Sequence, residues 1–225
     1  MLLMKFKNIF FGFLKTLLLA VIFYSSLLYA SIFMFLDLQN YPYTANDFRP
    51  YFFTMDATTG NLIKVPDTQN IFQFKTYNLD LKSDVALYKA EVKPVLLKWK
   101  ATITEPDTDS ELASDLSGQM ERYVRRDLTN RLPSREVRVV IYEDNIEAVS
   151  YMNNAKQTPE IDIIAANPEG MLEGQTTIVK GGGSALLERI VRTYQEEGIE
   201  RVRLYAVHSG YYAKRGWKVE GACGY

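Results

Sequence analysis

An uncharged run, TLLLAVIFYSSLLYASIFMFL, extends from Thr16 to Leu36 before any polar periodicity begins. At 1.5 Å per residue its 21 positions match the ~30 Å hydrocarbon of a bilayer. It has no polar face of the kind a core helix shows, and this predicts a transmembrane helix. A cleaved leader is the rival reading, because Lys5, Lys7 and Lys15 precede the run. The run is longer than a ~7–15-residue leader core, and Leu28-Tyr29-Ala30 lacks the small residue wanted before a cleavage site. The expectation is therefore a single-pass membrane protein contacting the bilayer through Thr16–Leu36. Lysine bias favours an external domain, but that bias rests on three lysines only, and the reading leans to the cytosolic face.

Residues 37–70 are aromatic and broken by Pro42, Pro50, Gly60 and Pro66, as expected of a connector packed on a domain. From residue 71 onward the pattern becomes regular. Phe72–Leu79 reads as a strand. Asp84–Lys100 reads as helix, kinked or split at Pro94. Thr108 and Glu111 have capping-box spacing, and Leu112, Leu116, Met120, Tyr123, Val124 and Leu128 recur on one side of the helix that follows. Val137–Tyr142 and Ile146–Met152 flank Glu143-Asp144-Asn145 as a hairpin. Ile161–Ala165 is a strand, Ser184–Glu197 a helix closed by Gly198, and Val202–Val207 a strand. Ser209–Arg215 is a short helix and Trp217–Val219 a final strand. The predicted class is α+β: a mixed, mostly antiparallel sheet flanked by helices, preceded by one transmembrane helix. The expected divisions are an anchor over 1–36, a connector over 37–70 and a globular domain over 71–225.

Net charge is −1, and without the three lysines of the first 36 residues the remainder carries 23 basic and 27 acidic groups. That balance supplies no global field for nucleic acid. One cysteine, Cys223, excludes an internal disulfide framework, and one histidine, His208, excludes a His-rich metal site. Composition leaves the oligomeric state open.

The informative chemistry lies in Lys180-Gly181-Gly182-Gly183-Ser184-Ala185. Three glycines at a helix start allow close backbone approach, and a helix N-terminus offers free N–H groups and positive potential, which suits a diphosphate. It is not a P-loop, since no Lys-Ser/Thr pair follows at the required spacing. A flexible loop is the plainer reading of the glycines alone.

The stretch EIDIIAANP, KGGGSALLERI, EEGIERVRLYAV and SGYYAKRGWKV resembles the GNAT superfamily of acyl-CoA-dependent N-acyltransferases. Its Gln/Arg-x-x-Gly-x-Gly/Ala signature is matched by Lys180-x-x-Gly183-x-Ala185, with lysine in the first place. Its Tyr-x-x-x-Gly-Phe element is matched by Tyr212 to Trp217. The resemblance is strongest over Glu160–Val219. It implies acetyl-CoA or another acyl-CoA as co-substrate, bound by Lys180, Gly181, Gly182, Gly183, Ser184 and Ala185. It further implies that Ala165 and Ala166 end the strand that directs an N–H at the thioester carbonyl. Tyr212 falls where the family protonates the leaving thiolate, although in a chain with 15 tyrosines a packed role is also open. Glu160 and Asp162, two apart on a strand, are candidate bases, and His208 is a third. The segment Glu169–Val179 is longer than the family's connection and reads as a flap or an inert loop. The expected activity is acyl transfer to an amine whose identity is open. The alternative is a non-catalytic acyl-CoA-binding or protein-interaction module on the same fold.

Overall fold

Residues 32–39, 41–42 and 48–221 are described by the computed structural model. They divide into two units, one comprising Phe35–Leu204 and the other the chain through Met34 together with Tyr205–Tyr225.

In the larger unit, β4 (Gln73–Asn78) leads into a broken helical stretch. This comprises α1 (Lys82–Leu87), a π-helical turn (Tyr88–Val92) and α2 (Lys93–Lys100). The break precedes Pro94, which occupies the first turn of α2, where its missing N–H costs nothing. The long helix α3 (Asp109–Asn130) starts as its capping residues predict: Thr108 Oγ1 accepts from the Glu111 N–H at 3.2 Å. The Glu111 carboxylate reaches back one residue further than a capping box requires, accepting from the Asp107 N–H at 2.7 Å. Strands β5 (Arg135–Tyr142) and β6 (Asn145–Asn153) form the expected hairpin. Its corner residues Glu143 and Asp144 both have positive φ, 45° and 65°, as a type I′ turn demands. Then come β7 (Glu160–Ala166), α4 (Gly182–Glu196) and β8 (Arg201–Ala206).

Strand order in this unit is β4-β5-β6-β7-β8 followed by β1 (Ile32–Asp37), antiparallel from β4 to β7 and parallel between β7 and β8. One sheet face presents Val137, Val139, Val149, Tyr151, Ile163 and Ala165 to the π-helical turn, α2 and α3, through Tyr88, Val92, Leu96, Trp99, Met120 and Val124. The other face packs α4, whose buried stripe is Leu186, Leu187, Ile190, Val191 and Tyr194. The α+β class with helices on both faces is thus as expected.

Two features differ from the sequence-based expectation. Residues 51–66, read as connector, form a two-stranded hairpin of β2 (Tyr51–Met55) and β3 (Leu62–Pro66). Ile32–Leu36, the end of the expected membrane span, is strand β1 and not helix. Among the described residues no helix is long and apolar enough to cross a membrane. The single-pass localisation over Thr16–Leu36 is contradicted by this strand, the lean to the cytosolic face lapses with it, and bilayer contact through that run finds no support among the described residues. Thr16 to Ser31 lie outside the described residues. The physical reason is that a strand covered on both faces is apolar at every position, as a span is. In β1, Met34 and Leu36 are buried and Ile32, Phe33 and Phe35 are half-buried.

In the smaller unit, the start of β1 receives a hydrogen bond from Glu220 N–H to the Phe33 carbonyl at 2.9 Å, and Phe33 meets Tyr205 edge-on at 5.0 Å. The short helix α5 (Ser209–Ala213) precedes β9 (Lys218–Val219).

Candidate active site

The site starts from an interruption in the sheet. Strands β7 and β8 pair in parallel at Glu160↔Arg203 and Ile161↔Leu204, and there the pairing stops, although β7 continues to Ala166. At the point of parting β7 carries a bulge. Tyr151 of β6 faces Ile163 and Met152 faces Ile161, so Asp162 is the extra residue. Beyond the bulge the Asn167 N–H donates to the Glu147 carbonyl at 2.9 Å, which sets the antiparallel alternation. Ala165 and Ile163 therefore exchange bonds with β6, while Ile164 and Ala166 turn their N–H and C=O groups away from it, to the open side of β7. Of the two alanines expected to serve a thioester, Ala166 has its amide on the open edge. Ala165 is buried with its amide committed to β6.

Helix α4 begins beside the end of that edge. Gly181 is its N-cap with φ +98°, a left-handed conformation that L side chains resist, and an added Cβ would lie 3.2 Å from the Tyr51 ring. Gly182 is already helical and close to β6: its Cβ would lie 3.0 Å from Glu147 Cβ and 3.2 Å from the Glu147 carbonyl oxygen. Both glycines are thus required by packing. Gly183 is less confined, its Cβ meeting only Ala166 Cβ at 3.4 Å. The first helical bond runs from Ala185 N–H to the Gly181 carbonyl at 2.9 Å. The N–H groups of the first turn have no acceptor within the helix. Ala185 is buried and Ser184 half-buried. Lys180 forms an antiparallel bridge with Tyr51, donating to its carbonyl at 2.7 Å and accepting from its N–H at 3.3 Å. Burial lowers the Lys180 amine below its ordinary range.

The two candidate carboxylates are differently placed. Glu160 is buried, 2.6 Å from Lys156 Nζ and 3.4 Å from Arg203 Nη1, as a structural ion pair would be. Asp162, on the bulge, lies 3.2 Å from Arg135 Nη1. The same guanidinium is 3.5 Å from Asp127, which accepts the Tyr151 hydroxyl at 2.7 Å. Burial raises the Asp162 carboxyl, the charge of Glu160 adds to that, and Arg135 and Lys156 only partly offset it. A carboxyl made less acidic in this way is what a general base near neutrality needs.

A third carboxylate was not picked out by sequence. Glu147 on β6 is buried, with Asn167 Nδ2 donating to it at 3.1 Å. Burial raises it to about 7, Asn167 pulls it down, and Glu169 pushes it further up. The available signal was parity: Glu147 shares an inward face with Val149 and Tyr151. A carboxyl held above its ordinary 4.5 binds its proton more tightly when folded. Its stabilising contribution is complete below about pH 4.5 and is lost as pH rises through about 7. The difference amounts to on the order of 3 kcal/mol. Glu147→Gln is expected to flatten that part of the stability profile in urea unfolding at pH 5 and pH 8. An unchanged slope would show that Glu147 is not its source.

The segment Glu169–Val179 is pinned. It opens with a 3₁₀ turn, Pro168–Met171, whose Pro168 carbonyl accepts from Ser110 Oγ at 2.8 Å. Gln175 closes it, its amide donating to the carbonyls of Gly170 and Ile178 and accepting from the Ile178 N–H at 2.8 Å. A freely swinging flap is not what these bonds describe.

In the smaller unit, Tyr212 is half-buried, edge-on to Trp217 at 5.9 Å and to Tyr211 at 5.0 Å. Burial raises its phenol, Tyr211 adds to the rise and Arg215 opposes it, so the hydroxyl keeps its proton at neutral pH. His208 is exposed at the start of α5.

No family model matches the chain, and no curated protein matches it. Among solved structures, a functionally unknown conserved protein from Staphylococcus epidermidis ATCC 12228 is 12% identical with a TM-score of 0.39. The match covers 85% of this chain, and the chain spans only 60% of that protein. A GCN5-related N-acetyltransferase from Ralstonia eutropha JMP134 is 15% identical with a TM-score of 0.37, over 68% of this chain and 97% of that one. A paia N-acetyltransferase from Thermoplasma acidophilum, in complex with coenzyme A, is 16% identical with a TM-score of 0.37, over 66% and 91%. Overlaps this distant carry no argument about activity, and the case for function rests on the chain's own residues.

Proposed function

We propose that the chain is an acyl-CoA-dependent N-acyltransferase that moves an acetyl or other acyl group to an amine. The observation that carries the reading is the parting of β7 from β8 at the Asp162 bulge, which opens a strand edge leading to the glycine start of α4. An extended thioester-bearing arm can pair with such an edge, and its diphosphate can meet the first-turn N–H groups. Asp162 takes the proton of the attacking amine. A backbone N–H on the open edge, that of Ile164 or Ala166, steadies the oxyanion as the C–N bond forms. The C–S bond then breaks and the departing thiolate takes up a proton, a step that the resemblance assigns to the Tyr212 phenol. Lys180, Gly181, Gly182, Gly183, Ser184 and Ala185 form the diphosphate end of the site, with Lys180 contributing chiefly through its backbone bridge.

A second reading, a module that binds acyl-CoA without turnover, is favoured by one observation: both candidate bases stand in ion pairs. Gly183→Val tests the binding common to both. Valine is a better helix residue than glycine, and its Cβ would meet only Ala166 Cβ among the described residues, at 3.4 Å. It would fill the space between the β7 end and the helix start. The variant is expected to fold and to bind CoA at least about tenfold more weakly by calorimetry. Parental affinity in the folded variant would place CoA elsewhere. Release of free CoA in the presence of amines separates turnover from binding alone.

A further inference from the structure

The glycine start of α4 is flanked by an element that the transfer chemistry leaves unused. Along β2, Tyr51 and Phe53 project from one face, their rings edge-on at 5.7 Å. Lys64 of β3 lies directly across from Phe53, and Lys180 is bridged to Tyr51 on the other flank. The lysines reach diagonally over the rings: Lys64 Nζ is 4.0 Å from the Tyr51 centroid, and Lys180 Nζ is 5.5 Å from that of Phe53. On the opposite face of the hairpin, Phe52 is set against Tyr142 at 6.0 Å.

We infer that this aromatic and basic face binds the 3′-phosphorylated adenosine end of CoA, the purine against Tyr51 or Phe53 and the phosphomonoester on Lys64 and Lys180. The inference rests on the reading that the diphosphate lies at the start of α4, and it extends that site in a definite direction. Three observations support it. Charge is one-sided: among the described residues neither lysine has a carboxylate in an ion pair, and the two hairpin acids are engaged elsewhere. Asp56 accepts from the Thr58 and Thr59 N–H groups at 2.8 Å, and Asp67 holds Tyr142 and Asn70. Lys180 is partly desolvated, so an anion gains more from it than from a fully solvated lysine. The face is also contiguous with the diphosphate end, since the Tyr51 ring and the Arg49 carbonyl lie 3.2 and 3.3 Å from where a Gly181 Cβ would be. A flat purine stacks on such rings, and an ammonium phosphate pair is charge-assisted. A cationic amine acceptor would be repelled here, which separates this face from the acceptor side.

The experiment is calorimetric titration of the full chain with CoA, dephospho-CoA and 3′,5′-ADP. CoA is expected to bind about tenfold more tightly than dephospho-CoA, and 3′,5′-ADP to compete with it. Lys64→Ala, at an exposed position, is expected to erase the preference while leaving dephospho-CoA affinity near parental. Lys180→Met, which retains the backbone bridge, is expected to act in the same direction. Equal affinity for CoA and dephospho-CoA in the parent, or a preference that survives both substitutions, would overturn the inference and leave the diphosphate site standing. Failure of both CoA and dephospho-CoA to bind would overturn the inference and the diphosphate site together.

Discussion

Replacing Tyr212 with phenylalanine is expected to lower acyl transfer by about 10²–10⁴-fold while changing CoA affinity little. The substitution removes one oxygen and keeps the ring, so the edge contacts with Tyr211 and Trp217 survive. The proposed role depends on that oxygen alone. A departing thiolate needs a proton donor that is itself protonated at neutral pH, and burial keeps the Tyr212 phenol in that state. A tyrosine that only packs in its unit would also have a raised phenol, so ionisation does not distinguish the two roles. Rate does. A phenylalanine variant turning over at close to the parental rate would remove Tyr212 from the mechanism. A fall in CoA affinity equal to the fall in rate would make it a binding residue instead.

Asp162→Asn is the second large effect, a loss of turnover of about 10²–10⁴-fold. Asparagine preserves size, and Arg135 retains Asp127 as a charged neighbour, so the network beneath β7 keeps a partner when the charge is removed. Glu160→Gln is the matched control. It removes the carboxylate held by Lys156 and Arg203, and is expected to cost stability more than rate. The pH dependence has a definite sign. A base works only after losing its proton, and the Asp162 carboxyl is raised by burial and by Glu160. Parental kcat/KM should therefore rise with pH through that raised value, and this acid limb should be missing from what activity remains in Asp162→Asn. Retained rate in Asp162→Asn together with a collapse in Glu160→Gln would exchange the two roles.

The order of elements from residue 72 onward was legible because each carried its own local signal. Thr108 caps α3, Gly198 ends α4 with φ +74°, and the inward residues of α4 recur with helical period. What escaped were features whose cause is distant in sequence. Helix α4 begins at Gly182 and not at Ser184, against the low helix propensity of glycine, because only glycine fits beside the Glu147 backbone. Ile32–Leu36 has no polar position to distinguish a covered strand from a lipid-facing helix. The β2–β3 hairpin leaves Met55, Leu62, Ile63 and Val65 exposed, so burial alternation, the usual mark of a strand, is weak there. In the site, residue types were readable and geometry was not. Asp162 was a candidate from the sequence, but the bulge that sets it where β7 leaves β8 is a property of register between strands. Glu147 escaped because nothing in its neighbourhood of the sequence announces that Gly182 and Asn167 converge on it.

The N-terminal pairings also set a timetable for synthesis. The Leu38 N–H bonds to the Glu200 carbonyl at 2.9 Å, and Tyr51 bridges Lys180. Each early residue must therefore wait for a late one to emerge from the ribosome. At ~5–20 residues per second, the chain between Leu38 and Glu200 takes roughly 10–30 s to make. Throughout that interval the apolar residues of β1 are on a nascent chain without their final neighbours, a substrate for holding chaperones. The antiparallel hairpin of β5 and β6, whose partners are close in sequence, can form much earlier. Strand β1, made well before the residues it pairs with, is thus among the last to find its place.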